Sequence, residues 1–233
     1  MKILAIDSSS LVASVAVVQD DIMIAEYTIN HKKTHSQTLL PMIDEIVKMA
    51  DICLEDIDAI AVSGGPGSFT GLRIGSATAK GLGLVWKKPL IHVPTVDAMA
   101  YNLYGTDKII CPIMDARRNQ TYTGLYLFEK EQFNIIMPQC AVSIDELLEK
   151  INEIGKSVIF VGDGIPVFKD YIDEKISVEH FYAPAHMNRQ RAGAVAVLGQ
   201  KYFAEGKIET AVEHQPDYLR KSQAEREREE AHV

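Results

Sequence analysis

Short apolar runs separated by polar residues open the chain and then give way to a longer repeat. Residues 2–7, 12–18 and 22–29 favour β-structure and are separated by "SSSL" and "QDD", which predicts an antiparallel meander. From Ser36 onward apolar residues recur every three to four positions, which predicts a helix of about four turns. Its apolar stripe consists of Leu39, Leu40, Ile43, Ile46, Val47 and Ala50. The opening of the chain therefore predicts three strands followed by one helix.

The same succession of elements occurs twice along the chain. After the first helix, the first copy continues with a strand at 59–63, a glycine-rich turn, a helix at about 70–85 and a strand at 89–93. The second copy has strand-like runs at 109–116, 121–128 and 133–140, a helix at 143–154 and, beginning within 157–168, a strand, a glycine turn and an onward helix. This duplication predicts an α/β fold of two lobes with mixed sheets, the plan of actin-like and hexokinase-like ATPases (ASKHA, RNase H-like).

The duplication also suggests how the chain divides into lobes. We expect an N-terminal lobe at 1–100, completed by a C-terminal helix within 190–215, and a C-terminal lobe at 101–189. The charged stretch 221–233 is interpreted as a solvated tail.

Composition narrows the classes of function. The 233 residues are 47% hydrophobic and have a formal net charge of −8, so the chain lacks the basic field of a self-sufficient nucleic-acid binder. Any nucleic-acid role has to be local or shared with a partner. The three widely spaced cysteines argue against a disulfide framework or a CxxC site. With no signal-like segment and no apolar run approaching eighteen residues, we expect a cytoplasmic protein without a membrane role.

The stretch "SGGPGSFTGLRIG" at 63–75 is the most unusual part of the sequence. It is not a Walker A loop, because Gly71 is followed by Leu72 instead of lysine. It also misses the dinucleotide fingerprint, since threonine occupies the place of the third glycine. A generic anion site at the following helix N-terminus remains open, with Ser68 or Thr70 as the cap. The candidate phosphate or nucleotide residues are Asp7, Gly65, Gly67, Ser68 and Thr70.

Small residues follow one face of the helix after this loop. Gly71, Gly75, Ala79 and Gly83 are spaced four apart, and glycine inside a helix costs roughly 1 kcal/mol relative to alanine. A close approach by another backbone must compensate for that cost. The face either packs on the protein's own sheet or forms a seam against a partner helix, and periodicity does not choose between the two. Arg73 lies beside this face and serves either the interface or the surface.

Charged residues near the strand ends are a second group of candidates. Asp7 and Asp115 end the first strand of each copy, where actin-like ATPases place a carboxylate for Mg²⁺-bound water. Turn formation and capping by short carboxylates is the simpler explanation of both, and we favour it because no metal-triphosphate site surrounds them in the sequence. Arg117 and Arg118 follow in a turn, and paired guanidinium groups suit contact with a nucleic-acid backbone or a partner. An internal salt bridge from one arginine to Asp115 is the alternative.

The histidines do not suggest catalysis. His31 and His35 have helical ligand spacing, but two lysines stand between them and we interpret them as an exposed helix entry. The others show no nucleophile or carboxylate at an informative spacing, so no metal site and no Ser-His-Asp or Cys-His arrangement is predicted. These are His92, His180, His186 and His214.

Motifs along almost the whole chain, from Ile3 to about Ala224, resemble one family. They are "ILAIDSSS", "HSQTLLP", "GGPGSFTGLRIGSATAKGLGL", "MDARRNQTY", "VGDG" and "PDYLRKSQAE". Together they resemble the TsaB (YeaZ) family, which helps to make threonylcarbamoyladenosine at position 37 of tRNAs. The resemblance implies an actin-like fold and a non-catalytic scaffold that binds the paralogous transferase TsaD together with TsaE. The metal-binding HxxxH pair of that paralogue falls here on Thr95 and Met99, which do not replace two imidazoles.

The resemblance also implies a partner surface on the first two helices. The expected partner-binding residues are His35, Leu39, Met42, Ile43, Ile46, Gly71, Leu72, Arg73, Gly75, Ala79 and Leu82. We expect a homodimer through the same surface in isolation, tRNA contact only within the complex, and no cofactor required by this chain. A nucleotide at the heteromeric interface stays open. The alternative function is an actin-like ATP-dependent phosphotransferase that uses Asp7 and the 64–71 loop, and a stand-alone tRNA-binding module is disfavoured by the acidic charge.

Overall fold

The computed structural model describes residues 1–220, so the charged tail predicted at 221–233 lies outside the described residues. The first half begins with three strands and a helix, as the hydrophobic pattern predicts. Its elements are β1 (Lys2–Asp7), β2 (Val12–Gln19), β3 (Ile22–Asn30), α1 (His35–Met49), a 3₁₀ turn (Leu54–Asp56), β4 (Ala59–Gly65), α2 (Phe69–Trp86), β5 (Leu90–Pro94) and α3 (Thr95–Tyr101).

The second half repeats this order and ends on a helix. Its elements are β6 (Ile109–Asp115), β7 (Gln120–Glu129), β8 (Gln132–Ser143), α4 (Ile144–Ile154), β9 (Val158–Val161), α5 (Ile165–Lys175), β10 (His180–Tyr182) and α6 (Ala192–Ala204). In each half the first three strands are antiparallel and the later ones join in parallel. The strand orders are β3-β2-β1-β4-β5 and β10-β9-β6-β7-β8. The predicted duplication into two α/β halves with mixed sheets is confirmed.

Helices cover both faces of the N-terminal sheet. Helices α1 and α2 pack on one face in a core that includes Leu4, Val15 and Ile60. Helix α6 packs on the opposite face, against a core that includes Ile3 and Ile91. The alternation of inward side chains along each strand is what divides the apolar residues between these two layers.

Two elements are not predicted from the hydrophobic pattern. Helix α3 is short, and six of its seven residues are buried, so it lacks the polar stripe from which a 3.6-residue period is recognised. Strand β10 has only three residues. The predicted helices and longer strands all occur, with ends that shift by up to three residues.

Helix starts follow the expected capping chemistry. Ser68 caps α2, and its Oγ accepts a hydrogen bond from the backbone N–H of Gly71 at 3.3 Å. Ser143 and Glu146 form a reciprocal capping box at the start of α4. Among residues 1–220, no helix combines the length and the apolar character needed to cross a membrane.

Candidate functional site

A cleft of about 830 Å³ separates the two lobes and contains several of the predicted polar residues. The N-terminal lobe supplies the β1–β2 turn and the start of α2, while the C-terminal lobe supplies the ends of β6 and β9. The polar and glycine residues that line it are Ser9, Ser10, Asn30, His35, Gly67, Ser68, Thr70, Asp115, Arg117, Tyr122, Asp163 and Arg189. The cleft therefore brings together Gly67, Ser68 and Thr70 from the predicted phosphate set.

Asp7 belongs to the structure of the β1–β2 turn and does not line the cleft. Its side chain is 1% exposed, and its Oδ1 accepts hydrogen bonds from the Ser9 backbone N–H at 2.9 Å and from Ser9 Oγ at 2.7 Å. Burial raises the pKa of Asp7, and the bonds from Ser9 partly oppose that rise. Turn formation, the simpler of the two interpretations, is what the geometry shows.

Asp115, the counterpart of Asp7 in the second copy, does line the cleft. Its Oδ1 accepts a hydrogen bond from the Arg117 backbone N–H at 2.8 Å, and its Oδ2 lies 3.3 Å from Arg117 Nη1. Arg117, Arg118 and Asn119 all have positive φ angles of 55–65°, a left-handed conformation that side chains rarely adopt three times in succession. The predicted turn and the internal ion pair are both present. The Arg117 side chain nevertheless remains 87% exposed.

The glycine loop allows close approach between backbones. A Cβ on Gly67 would lie within 3.0 Å of the carbonyl oxygen of Ser9, and one on Gly65 would meet the carbonyl oxygen of Asp217. Gly65 has φ +120° and is covered by residues 209–220, which we call the C-terminal segment, so it does not line the cleft. The loop thus shapes the entry to α2 and packs against two other chain segments.

The small-residue face of α2 packs inside the protein. Side-chain atoms added at Gly71 and Gly75 would clash with Ser8, and Gly83 is enclosed by Leu90 and Ala211. The expectation that Gly71 and Gly75 bind a partner is therefore corrected, since this face is already occupied by the β1–β2 turn. The seam against a partner helix does not lie here.

Several other residues assigned to the partner surface also lie in the core. None of them is more than 4% exposed, because they form the inward stripes of α1 and α2 above the sheet. They are Met42, Ile43, Ile46, Leu72 and Ala79. Their assignment as surface contacts is corrected for that reason.

A separate apolar groove lies between α1 and α2 on the outside of the lobe. It has a volume of about 570 Å³, and its lining includes three residues of the predicted set. These are His35, Leu39 and Leu82, with Leu39 at the buried floor. The other lining residues, which are not in the predicted partner set, are Ser36, Leu40, Ile74, Ala77, Thr78, Gly81 and Val85. We call this set of residues the α1–α2 groove.

Arg73 lies on the exposed side of α2 beneath the C-terminal segment. Its Nε donates a hydrogen bond to Tyr218 Oη at 3.2 Å, and its guanidinium lies over the Phe69 ring. The Tyr218 ring stacks on Phe69 with centroids 4.0 Å apart. Arg220 then donates to the carbonyl oxygen of Ala116 in the other lobe at 2.6 Å. The C-terminal segment therefore crosses from α2 to the cleft.

Histidines that look scattered in the sequence meet in the fold. His92 on β5 and His214 have ring centroids 5.8 Å apart, and carboxylates of Glu209 and Asp217 lie beside them. Sequence spacing gives no signal here, because more than a hundred residues separate β5 from the C-terminal segment. His35 Nε2 is 2.7 Å from the carbonyl oxygen of Ser10, which ties α1 to the β1–β2 turn.

The places aligned with the paralogue's histidine pair have structural roles. Thr95 Oγ1 accepts a hydrogen bond from the Gly65 backbone N–H at 3.1 Å and lies 2.8 Å from Ser63 Oγ. Met99 is buried between α3 and the C-terminal sheet. A hydroxyl in a hydrogen-bond network and a thioether in a core do not form a divalent-metal site.

Comparison with known proteins agrees with the motifs and the topology. Residues 23–228 match the family model described as TsaD: tRNA N6-adenosine threonylcarbamoyltransferase. The tRNA threonylcarbamoyladenosine biosynthesis protein TsaB of Bacillus subtilis is 34% identical, with 97% of this chain and 96% of that protein covered. The Escherichia coli TsaB is 32% identical over 96% of both chains. In structure, YeaZ from Pseudomonas aeruginosa superimposes with a TM-score of 0.77 at 23% identity, over 94% of this chain and 99% of that one. The chain belongs to the TsaB (YeaZ) family of tRNA threonylcarbamoyladenosine biosynthesis proteins.

Proposed function

We propose that this chain is a cytoplasmic, non-catalytic scaffold in threonylcarbamoyladenosine synthesis on tRNA. It binds and activates a TsaD-type transferase, with a TsaE-type protein as the third component. The observation on which the proposal rests is the exposed α1–α2 groove, an apolar surface on the two helices that the family resemblance assigns to partner binding.

The α1–α2 groove has the properties of a protein interface. Leu40 and Val85 line it and are 55% and 77% exposed. Contiguous apolar surface of this kind marks interaction sites in soluble proteins. A Cβ added at Gly81 would meet no atom of residues 1–220 within 4 Å beyond its own stretch of helix, so a partner side chain can enter between the helices.

The same surface accounts for the expected homodimer. A groove formed by two helices of one lobe is suited to a two-fold contact in which identical helices meet. The paralogous transferase, which shares the fold, then replaces the second copy. In this proposal a second copy of the chain and the paralogous transferase compete for the same surface.

The non-catalytic part of the proposal rests on what the cleft residues already do. Asp7 is enclosed by the Ser9 turn, and Thr95 and Met99 occupy the paralogue's histidine places. In this account the cleft contributes no catalytic metal from those positions. Arg117 and Arg118, held outward by the strained turn, are proposed to contact tRNA or the partner within the complex, and any nucleotide at the interface would meet Ser68 and Thr70.

Reconstitution of tRNA modification tests this proposal against the phosphotransferase alternative. Purified TsaD and TsaE homologues from the same cell should modify tRNA only when this chain is added, while the isolated chain should not turn over Mg-ATP. Asp7→Asn, checked for folding by circular dichroism, and Thr70→Ala in the exposed cleft should both keep supporting modification. ATP turnover by the isolated chain that either substitution abolishes would contradict the proposal.

A further inference from the structure

We propose that His92, Glu209 and His214 form a zinc-binding site that holds residues 209–217 of the C-terminal segment against strand β5. One ligand atom of each residue lies within 4.8 Å of a ligand atom of the other two. His92 comes from β5, whereas Glu209 and His214 come from the C-terminal segment, and they meet at the edge of the N-terminal lobe. This site is independent of the α1–α2 groove and of the partner proposed to occupy it.

Buried ring nitrogens without hydrogen-bond partners point to a metal ligand set. The His214 side chain is fully buried, and its Nδ1 lies 2.5 Å from Glu209 Oε1. Its Nε2 is also buried, with no hydrogen-bond partner among residues 1–220. His92 Nε2 is likewise buried without a hydrogen-bond partner among these residues. Asp217 Oδ2 is 3.1 Å away, but this contact does not meet the geometry of a hydrogen bond. Unsatisfied buried polar atoms are rare in native proteins, and a metal ion satisfies such nitrogens.

The backbone holds the ligands in place before any metal binds. Leu90 and Glu209 exchange two backbone hydrogen bonds, of 2.8 and 3.0 Å, which fix Glu209 beside β5. Thr210 and Glu213 form a reciprocal side-chain and backbone cap, and the His214 N–H donates to the Thr210 carbonyl oxygen at 3.1 Å. Side-chain positions set in this way lower the entropy lost on binding a ligand.

Gly64 makes room for one of the ligands. A Cβ at this position would fall within 3.0 Å of three atoms of the His92 imidazole. The ring therefore lies flat against the backbone of β4, and the first glycine of the loop provides a space that alanine would close.

Two imidazoles and one carboxylate form a donor set that zinc accepts. Zinc binds histidine nitrogen and carboxylate oxygen at about 2.0–2.2 Å, so the ligand atoms need to move together to roughly 3.3–3.5 Å in a tetrahedral site. Asp217, which is half exposed beside His92, can supply the fourth ligand or orient the His92 ring. Lys80, the nearby cation, is engaged by the His214 carbonyl oxygen at 2.9 Å.

A metal at this place would secure a segment that covers the glycine loop. The Asp217 N–H donates to the Gly64 carbonyl oxygen at 2.7 Å, and Tyr218 follows with its ring on Phe69. Removal of the metal is therefore expected to loosen the segment from residue 209 to the start of α2.

Zinc titration of the full-length, chelator-treated chain tests the site. Calorimetry should give one zinc ion per wild-type chain, and Co²⁺ in its place should show visible d–d absorption. Glu209→Gln and His92→Asn should each weaken zinc affinity by at least about 10-fold, since even outer-shell substitutions cost 10–100-fold. The control is His180→Asn, because His180 pairs with Asp173 in the other lobe and should leave zinc binding unchanged.

Thermal unfolding gives a second readout that does not depend on partner binding. Zinc should raise the unfolding midpoint of the wild type and of His180→Asn, but not that of Glu209→Gln, which preserves side-chain size. If His92→Asn fails to fold, the comparison of zinc affinity and unfolding midpoint between Glu209→Gln and the wild type decides the test. Absence of stoichiometric zinc in the wild type, or equal affinity in Glu209→Gln and wild type, would overturn the proposed site.

Discussion

Asp97 is a buried carboxylate at which both lobes meet. It lies on α3, and its Oδ1 accepts a hydrogen bond of 2.6 Å from Tyr126 Oη of the C-terminal sheet. Tyr202 Oη of α6 lies 3.5 Å from Oδ2. Burial raises the pKa of Asp97, and the two tyrosine hydroxyls oppose that rise by stabilising the ionised form. The buried Asp97 carboxylate therefore links the two lobes. The free energy cost of burying its charge depends on the hydrogen bonds that the two tyrosine hydroxyls donate.

Removal of the principal donor should destabilise the protein in a pH-dependent way. Tyr126→Phe should lower the free energy of unfolding by about 1.5–3 kcal/mol at neutral pH, the usual worth of a hydrogen bond to a charged group. Without this bond the pKa of Asp97 rises further, so protonation in the folded state relieves the loss as pH falls. The deficit should shrink toward about pH 5, above the pKa of a free aspartate.

Urea denaturation at the two pH values measures this effect. Tyr27→Phe is the control, because it removes the same hydroxyl group from a tyrosine that is 41% exposed on edge strand β3. A Tyr126→Phe deficit that is absent, or that grows on acidification, would show that Asp97 is not held by this bond.

Helix α2 shows how one element serves two neighbours. Gly71 and Gly75 face the β1–β2 turn within the lobe, whereas Gly81 opens toward the α1–α2 groove. The close approach at Gly71 allows Ser8 Oγ to donate to the Gly71 carbonyl oxygen at 2.8 Å. The glycines lower the intrinsic helix propensity of α2. On the inner face they allow close backbone contact, and on the outer face they leave open space.

A pair of alanine substitutions on this helix separates the two roles. Gly71→Ala should lower the free energy of unfolding by about 1–3 kcal/mol, because the added methyl group clashes with the Ser8 carbonyl. Gly81→Ala should raise it by about 0.5–1 kcal/mol, since alanine is the better helix former and has room there. Chemical denaturation followed by circular dichroism compares the two, and equal effects would contradict the assignment of the faces.

The sequence predicts the helices and strands better than it predicts the contacts between them. Periodicity identifies α1 and α2 because each amphipathic pattern is local, but the glycine spacing of α2 does not reveal that its partner is Ser8, more than sixty residues earlier. Helix α3 is not predicted because it is short and buried on nearly every side, so no amphipathic pattern marks it.

At the scale of the whole molecule, the sequence predicts the duplication, but it does not predict how the residues of the candidate sites come together. The repeated order of strands and helices predicts two lobes with mixed sheets, and the strand orders confirm it. The cluster of His92, Glu209 and His214 depends on a bridge between Leu90 and Glu209 that no spacing rule anticipates. The groove likewise depends on how α1 and α2 pack, which decides that Leu40 and Val85 face outward.

The central claim at this scale is that the chain acts through the α1–α2 groove by binding its transferase paralogue. Analytical ultracentrifugation of the chain with that paralogue tests it, using wild type and Val85→Glu. Val197→Glu is the matched control, because it places the same charge on α6, which covers the opposite face of the sheet. All three proteins are first compared by circular dichroism.

We predict that wild type and Val197→Glu form a heterodimer of equal affinity. Val85→Glu should weaken it by at least about 10-fold, about 1.4 kcal/mol, since the carboxylate would be buried in an apolar interface. Failure of the wild type to form a complex, or equal binding by Val85→Glu and Val197→Glu, would contradict the claim.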